Sequence, residues 1–439
     1  MTAPAPLPER TGLRQLVSRV LAIEPAELPA VVAAWLMFLF AFTGYALLRP
    51  VRDGIGSIGG GRDLPWLFSA TFIATLLIIP LFGAVASKVS RRRILPWSYA
   101  FFAAVLFALA AAWSLRPDEP WVGRAFYVWL SVLVLPVVSV AWSVLADLLP
   151  LAQAKRTFAL MAAGISVGGL VGPLLTRLLA GPLGIAGLMV LGPSLILVSV
   201  LAALWLQRWR DRHPLPALDA QARRAPLGGN PFAGLTDVLR SPYLLGIALF
   251  VVLLSSVTTF LYFEQAALLE AAFPALERRT EVLATIDTVV QALALLTQVF
   301  LTGRIVQRLG LAVLLCAVPL TMAAGFVWLA FAPTFAVLVV VMVVRRAGEY
   351  ALARPGRELL FTVVPAEAKY KAKNVIDTAV YRGADAVSGW AKAGIDAIAA
   401  FPALVCLVGA GLALAWGFTG WRLARAQQRR AGEAVPPPG

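Results

Sequence analysis

Predominantly apolar stretches of twenty or more residues recur twelve times along the chain, ten of them clear and the tenth and eleventh charge-bearing, a pattern that an ordinary soluble core does not bury. They run at 30–51, 64–87, 94–115, 121–147, 156–180, 184–207, 242–266, 281–303, 309–331, 334–362, 374–398 and 400–421. Each is long enough to cross the roughly 30 Å hydrocarbon core of a bilayer as a helix. Inside a bilayer every backbone N–H and C=O must be bonded within the protein, so the pattern predicts transmembrane helices rather than open sheets. Composition agrees, with 60% apolar and 14% charged residues, where a soluble domain carries about 25% charged. Arg116-Pro117, Gly181-Pro182 and Pro333 punctuate the ends of spans.

The segment 208–240 differs in kind, with six arginines, four prolines and few large apolar residues. The expected organisation is therefore an all-α integral membrane protein of twelve transmembrane helices in two six-helix bundles, at 30–207 and 241–425, joined by the 208–240 connector. Residues 1–29 precede the first bundle. There Arg10, Arg14 and Arg19 interleave with Leu13, Leu16, Val17 and Val20, which predicts a short amphipathic helix on the membrane surface. Residues 426–439 form a tail. Nothing near the N-terminus reads as a cleavable signal peptide.

Charge sets the orientation. Alternate loops, beginning with the N-terminus, hold 24 Lys and Arg, and the opposite loops hold 6. The positive-inside bias places both termini in the cytoplasm and favours an even number of spans, as in a bacterial inner-membrane protein. The net charge of +15 is then a topology signal. It implies the lipid bilayer as a partner and no nucleic acid, and no obligate protein partner is inferred.

Enzyme chemistry finds little to work with. The two cysteines, Cys316 and Cys406, lie in apolar runs, and the single histidine, His213, sits in the connector. No metal site, nucleophile–base pair or cofactor is expected. No GxxxxGK[ST] loop is present to cradle a nucleotide in an ATP-driven pump. Gly54-Ile55-Gly56-Ser57-Ile58-Gly59 matches GxGxxG but joins two spans, and reads as a flexible loop.

The halves look duplicated. Ala152-Gln153-Ala154-Lys155-Arg156 follows the fourth span, and Ala366-Glu367-Ala368-Lys369-Tyr370 follows the tenth, 214 positions later. A glycine and a basic loop, Gly83 to Arg93 and Gly303 to Arg308, follow the second helix of each half. Gly164, Gly168, Gly172 and Pro173 mark the fifth span. Together these resemble the major facilitator fold, in which such a loop gates the cytoplasmic side and a glycine-proline fifth helix packs the halves closely. Small residues every four positions let helix backbones approach in lipid.

Charges inside spans are costly unless paired or hydrated, so they point to a functional route. The first span ends Arg49-Pro50-Val51-Arg52-Asp53. The tenth carries Arg345, Arg346, Glu349, Arg354, Arg357 and Glu358, and the eleventh Asp377, Tyr381, Arg382, Asp385, Ser388, Lys392 and Asp396. Glu264 and Asp287 lie in the seventh and eighth. Spacings of three and four put Asp377, Tyr381, Asp385, Ser388, Lys392 and Asp396 on one helix face, and Arg346, Tyr350, Ala353 and Arg357 on another. Such faces turn inward, to a cavity or to a buried ion-pair network. Arginine forks suit phosphate or carboxylate. The expected substrate-binding residues are Arg49, Arg52, Arg345, Arg346, Arg357, Tyr381 and Arg382. Asp287, Glu349, Glu358, Asp377 and Asp385 are their expected coupling or charge partners.

Arg49-Pro50-Val51-Arg52-Asp53 is similar to the Arg-x-x-Lys-Asp pattern of the bacterial and plastid ATP/ADP translocase family. Pro355-Gly356-Arg357-Glu358, with Lys369-Tyr370-Lys371-Ala372-Lys373 and Asp377, resembles that family's tenth helix and the loop after it. The resemblance implies nucleotide exchange, with Arg52 and Arg357 standing where the family engages phosphates through lysines. Residues and resemblance together point to a secondary transporter of an anionic, phosphate-bearing metabolite working by alternating access. They leave open a proton-coupled symporter or exporter using Asp377 and Asp385, and a non-transporting receptor or scaffold of the same fold.

Overall fold

The apolar runs fold as helices. The computed structural model describes residues 27–86, 88–117, 119–149, 151–213, 234–398 and 403–433, and no strand occurs among them. The amphipathic helix expected near the N-terminus lies outside the described residues.

The first half contains α1 (Leu28–Gly56), α2 (Leu64–Ala86), α3 (Arg91–Leu115), α4 (Pro120–Leu148) and α5 (Leu151–Arg212). Two spans share α5. Gly184 breaks it with a φ of +63°, a left-handed conformation that glycine adopts without steric cost. The chain doubles back there, because both arms lie against α1. A Cβ on Gly172 would stand 2.7 Å from the Ala46 Cβ, and one on Gly44 would stand 2.9 Å from the Ile196 Cγ1. The helix continues to Arg212, into the segment read as connector.

The second half begins with the short α6 (Leu235–Arg240). It continues through α7 (Pro242–Ala272), α8 (Leu276–Thr297), α9 (Gly303–Phe331), α10 (Phe335–Gly348), α11 (Arg354–Leu360), α12 (Ala366–Val375), α13 (Tyr381–Ile398) and α14 (Ala403–Glu433). Gly310, with a φ of +76°, turns the chain between the eighth and ninth spans. Wider π-type turns at Gln298–Thr302, Glu349–Ala353 and Ile376–Val380 interrupt the eighth, tenth and eleventh spans. Nine helices among the described residues are long and apolar enough to cross a membrane. One of these holds two passes, and the charge-bearing tenth and eleventh spans complete the set of twelve.

Each half has its own apolar core. One runs from Ala30 to Leu206 and the other from Val238 to Ala424. A small third cluster, Leu64, Leu67 and Tyr127 with Phe263 and Ala266, joins the halves. Outward faces carry exposed side chains such as Leu77, Leu201 and Phe331, as lipid contact requires.

Two sequence expectations change. The glycine stripe of the fifth span packs mainly within its own half. A Cβ on Gly164 would strike the Trp35 carbonyl oxygen, and one on Gly168 would stand 2.7 Å from the Leu39 oxygen. The adjacent Gly169, one position round the helix from this stripe, faces the other half, towards Gln291. The Gly54–Gly59 motif is not a flexible loop either. Gly54 and Gly56 belong to the last turn of α1, where they leave room for Thr280 and Tyr127, and a tight 3₁₀ turn spans Ile58–Gly61.

Candidate functional site: a cationic cavity between the halves

A cavity of about 570 Å³ lies where the two halves face each other. Residues of α1, α2 and α4 line one side, and residues of α7 and α10 to α13 line the other. The halves close against each other at the end away from the chain termini. There the Gly59 N–H donates to Glu270 Oε1 at 2.8 Å, and Arg279 Nη1 donates to Ser57 Oγ at 3.3 Å. Next to this contact the Tyr262 hydroxyl donates to Asp53 Oδ1 at 2.9 Å, across the interface. The opposite end is the wetter one, where Glu358 is 46% and Lys373 is 32% exposed at the side chain.

Each charged wall position traces to a helix end or a π-type turn. Arg49 and Arg52 lie on α1 just before its glycine-rich last turns. Arg49 pairs with Asp287 of α8 at 2.7 Å, and Arg346 of α10 takes the other oxygen of the same carboxylate. Asp287 is 2% exposed, so it stands behind the wall and holds two guanidiniums that face inward. Arg52 pairs with the adjacent Asp53 at 2.7 Å and lies over the Tyr127 ring. Arg345 donates to Glu349 Oε2 and to Thr258 Oγ1, both at 2.9 Å.

The broken eleventh span supplies the rest. Arg357 pairs with Asp377 at 3.2 Å, and Lys373 donates to Glu358 Oε1 at 2.7 Å. Arg382 donates to the Ser131 carbonyl of the other half at 3.0 Å and stands 3.6 Å from Asp385. Asp385 accepts from the Ser255 hydroxyl at 2.6 Å. Tyr381 completes this wall. All seven residues expected to bind substrate therefore line one cavity, with Glu349, Glu358, Asp377 and Asp385. Asp287 is the one expected partner outside the lining.

Several wall residues lie outside the set expected from the sequence. Arg354 is exposed to the cavity, stacks 4.9 Å over the Tyr350 ring, and has no ion-pair partner among the described residues. Its signal was available, since Arg346, Tyr350 and Arg354 are spaced by four. Tyr45, Tyr127 and Tyr262 also line the cavity, but isolated tyrosines in apolar helices give no periodic signal. The polar stripe of the eleventh span divides. Its far end leaves the cavity, where Lys392 is held by Glu264 at 3.0 Å and Asp396 at 2.8 Å.

Eight cationic side chains and five carboxylates line the cavity. Each of the five carboxylates already has a cation, and Asp287 serves two more, so the site carries an excess of positive charge. The buried Nε atoms of Arg345 and Arg357 lack hydrogen-bond partners among the described residues. No group of three His, Cys, Asp or Glu among the described residues is placed to hold a metal ion.

Comparison with known proteins places this geometry in a family. No curated protein matches the sequence. Among solved structures, a point mutant of the nucleoside transporter NupG superposes with a TM-score of 0.66 at 14% identity, over 90% of this chain and 99% of that one. A bacterial homolog of the human lysosomal transporter Spinster, inward-facing and occupied, gives 0.59 at 15% identity, over 94% and 100%. The inward-open xylose transporter XylE of E. coli gives 0.57 at 16%, over 90% and 95%. At such identities the likeness is one of fold. The profile of the Major Facilitator Superfamily matches residues 28–372, which is most of the chain, and the protein belongs to that superfamily.

Proposed function

We propose that the protein is a secondary transporter that carries a phosphate-bearing anion by alternating access. The six-helix units 30–207 and 241–425 move against each other around the cavity. Both termini lie in the cytoplasm of a bacterial inner membrane, so the wetter end of the cavity faces inward. The observation that carries this reading is the cationic excess of an interfacial cavity whose carboxylates are all engaged. Bidentate guanidinium forks are the side chains best matched to phosphate oxygens. Arg49, Arg52, Arg346 and Arg357 hold the anionic group. Arg345, Tyr381 and Arg382 shape its surroundings, and Asp287, Glu349, Glu358, Asp377 and Asp385 keep the arginines in place or exchange for the substrate as their partner.

Resemblance of the Arg49–Asp53 and Pro355–Asp377 segments to the ATP/ADP translocases supports a narrower version, the exchange of nucleotides. Labelled nucleotide uptake into liposomes, with and without internal nucleotide, tests it. Stimulation by internal nucleotide is the expected result, and no uptake of any nucleotide defeats the narrower version. A thermal-shift screen against nucleotides, sugar phosphates and organic acids tests the wider one, because a ligand of the folded state raises its apparent stability. Phosphorylated compounds should stabilise the wild type and lose that effect in Arg354→Gln and Arg357→Gln. Stabilisation by neutral sugars alone would overturn the reading.

A further inference from the structure

A second cavity, of about 240 Å³, lies on the face where the chain termini emerge. It forms where the short helix α6 tucks under the second half, between the start of α7, the loop before α12 and the last turns of α14. Its polar side chains are Arg240, Arg430, Asp237, Ser241 and Tyr243. Gly234, at the entry to α6, lies so close to the Lys371 backbone that any side chain would collide with it, so α6 is clamped onto α12. The Tyr243 hydroxyl donates to the Leu360 carbonyl at 2.8 Å, and the Arg430 guanidinium lies 4.4 Å from the Tyr243 ring centroid. Arg430 is thus positioned by an aromatic face while its N–H groups stay free of ion pairs among the described residues.

The surroundings are those of a membrane surface. Leu235 and Leu239 of α6 are 43% and 61% exposed, four residues apart on one face. Leu245 and Leu249 continue an exposed apolar face on α7. On α14, Phe418 and Trp421 are exposed, with Arg422 and Arg425 folded back over their rings. Aromatic rings under arginine heads mark the interfacial zone of a bilayer. Arg430 follows about two turns further out, beside the cavity.

We infer that this cavity binds the headgroup of an anionic phospholipid of the phosphatidylglycerol type. Two arginines and one carboxylate give it one net positive charge, which matches one phosphodiester. Arg240 and Arg430 supply the forked donors for the phosphate oxygens. Asp237 supplies an acceptor for a hydroxyl at the free end of the headgroup, which phosphatidylcholine lacks. The space suits a headgroup and leaves the acyl chains outside, along the exposed leucines of α6 and α7. The bound lipid ties the connector helix α6 to α7 and α14, and so anchors the connector to the second half. This inference is independent of the solute that the protein carries.

The test is lipid binding by the full-length protein in detergent, followed by native mass spectrometry and thermal shift. Phosphatidylglycerol should bind and raise the unfolding temperature, while phosphatidylcholine and inorganic phosphate should not. Arg240→Gln and Arg430→Gln should each weaken phosphatidylglycerol binding about fivefold, the effect expected of one interfacial arginine. Arg425→Gln, on the same helix but outside the cavity, should leave the bound lipid count and its affinity unchanged. Equal stabilisation by phosphatidylcholine or by free phosphate would overturn the inference. So would undiminished phosphatidylglycerol binding in the folded double variant, or an equal loss in Arg425→Gln.

Discussion

The first and fifth spans of one half and the seventh and eleventh of the other form equivalent seams built from opposite materials. In the first seam the Thr176 hydroxyl donates to the Leu47 carbonyl, 129 positions away. In the second the Ser255 hydroxyl donates to Asp385, 130 positions away. Both seams pair helices that run in the same direction, in the same register. The first is glycine against backbone, from Gly164 to Gly172. The second is hydroxyls and charges: Ser255 and Thr259 on Asp385, Ser256 on Ser388, and Glu264 on Lys392. All three π-type turns among the described residues belong to the second half. One half is thus a close-packed wall with a single good arrangement. The other has rotatable hydroxyls and wide turns that offer several, as π-type turns at functional sites often do.

The sharpest break in this comparison is at Lys392, 5% exposed and held between Glu264 and Asp396. Lys392→Met leaves two neighbouring carboxylates without their cation. Removing one partner of a buried ion pair costs about 3–5 kcal/mol, and the partly exposed Asp396 places this case at the lower end. Thermal unfolding of the purified protein should show a fall of a few degrees, with partial recovery in the double variant Lys392→Met/Glu264→Gln. Its counterpart by the 214-residue repeat is Leu178, which is 61% exposed. Leu178→Met should change nothing measurable. Equal effects at the two positions would mean that the seams do not differ in the way described.

Packing gives the next contrast. A Cβ on Gly168 would meet the Leu39 oxygen at 2.7 Å and the Thr43 nitrogen at 2.9 Å, both backbone atoms that cannot step aside. Overpacking of this kind costs about 1–3 kcal/mol, so Gly168→Ala should lower the unfolding temperature clearly. Gly389 on α13 is different, because its nearest neighbour to a new Cβ is the Phe263 ring at 3.5 Å, ordinary contact. Gly389→Ala should be neutral or stabilising, since alanine is favoured over glycine in a helix by up to about 1 kcal/mol.

These contrasts also mark how far the sequence could be read. Ten spans followed from apolar length, because a helix in lipid has few alternatives, and the charge bias between alternate loops favoured an even count that takes in the two charge-bearing spans. The charges inside spans were legible from the cost of ions in lipid, and spacings of three and four put those of the tenth helix on one face and those of the eleventh on another. The same arithmetic could not separate Lys392 and Asp396 from the cavity face, because they share the stripe with Asp385 while Lys392 bridges Asp396 to Glu264 on α7. Only the position of a neighbouring helix tells a cavity face from a helix contact. The glycines at 164 to 172 were read as close packing, yet which partner they approach depends on the hairpin at Gly184. The π-type turns left no readable mark, since they arise from how a helix accommodates its neighbours.

The finest test lies in a single hydroxyl pair. Ser256 and Ser388 meet at 2.8 Å, and the Ser256 hydroxyl also contacts the Val252 carbonyl at 2.9 Å. One proton cannot serve both contacts, so when Ser256 donates to Val252, Ser388 must donate to Ser256. Ser388→Ala then leaves Ser256 satisfied by its own helix, while Ser256→Ala deprives Ser388 of its partner across the seam. Hydrogen bonds between membrane helices average about 0.6 kcal/mol, which sets the scale of the larger of the two losses. A double-mutant cycle should therefore give Ser256→Ala a small cost, Ser388→Ala a smaller one, and a coupling close to the first value. A coupling as large as the Gly168→Ala effect would make the polar seam as unyielding as the glycine seam. The asymmetry between the halves would then lie in charge alone.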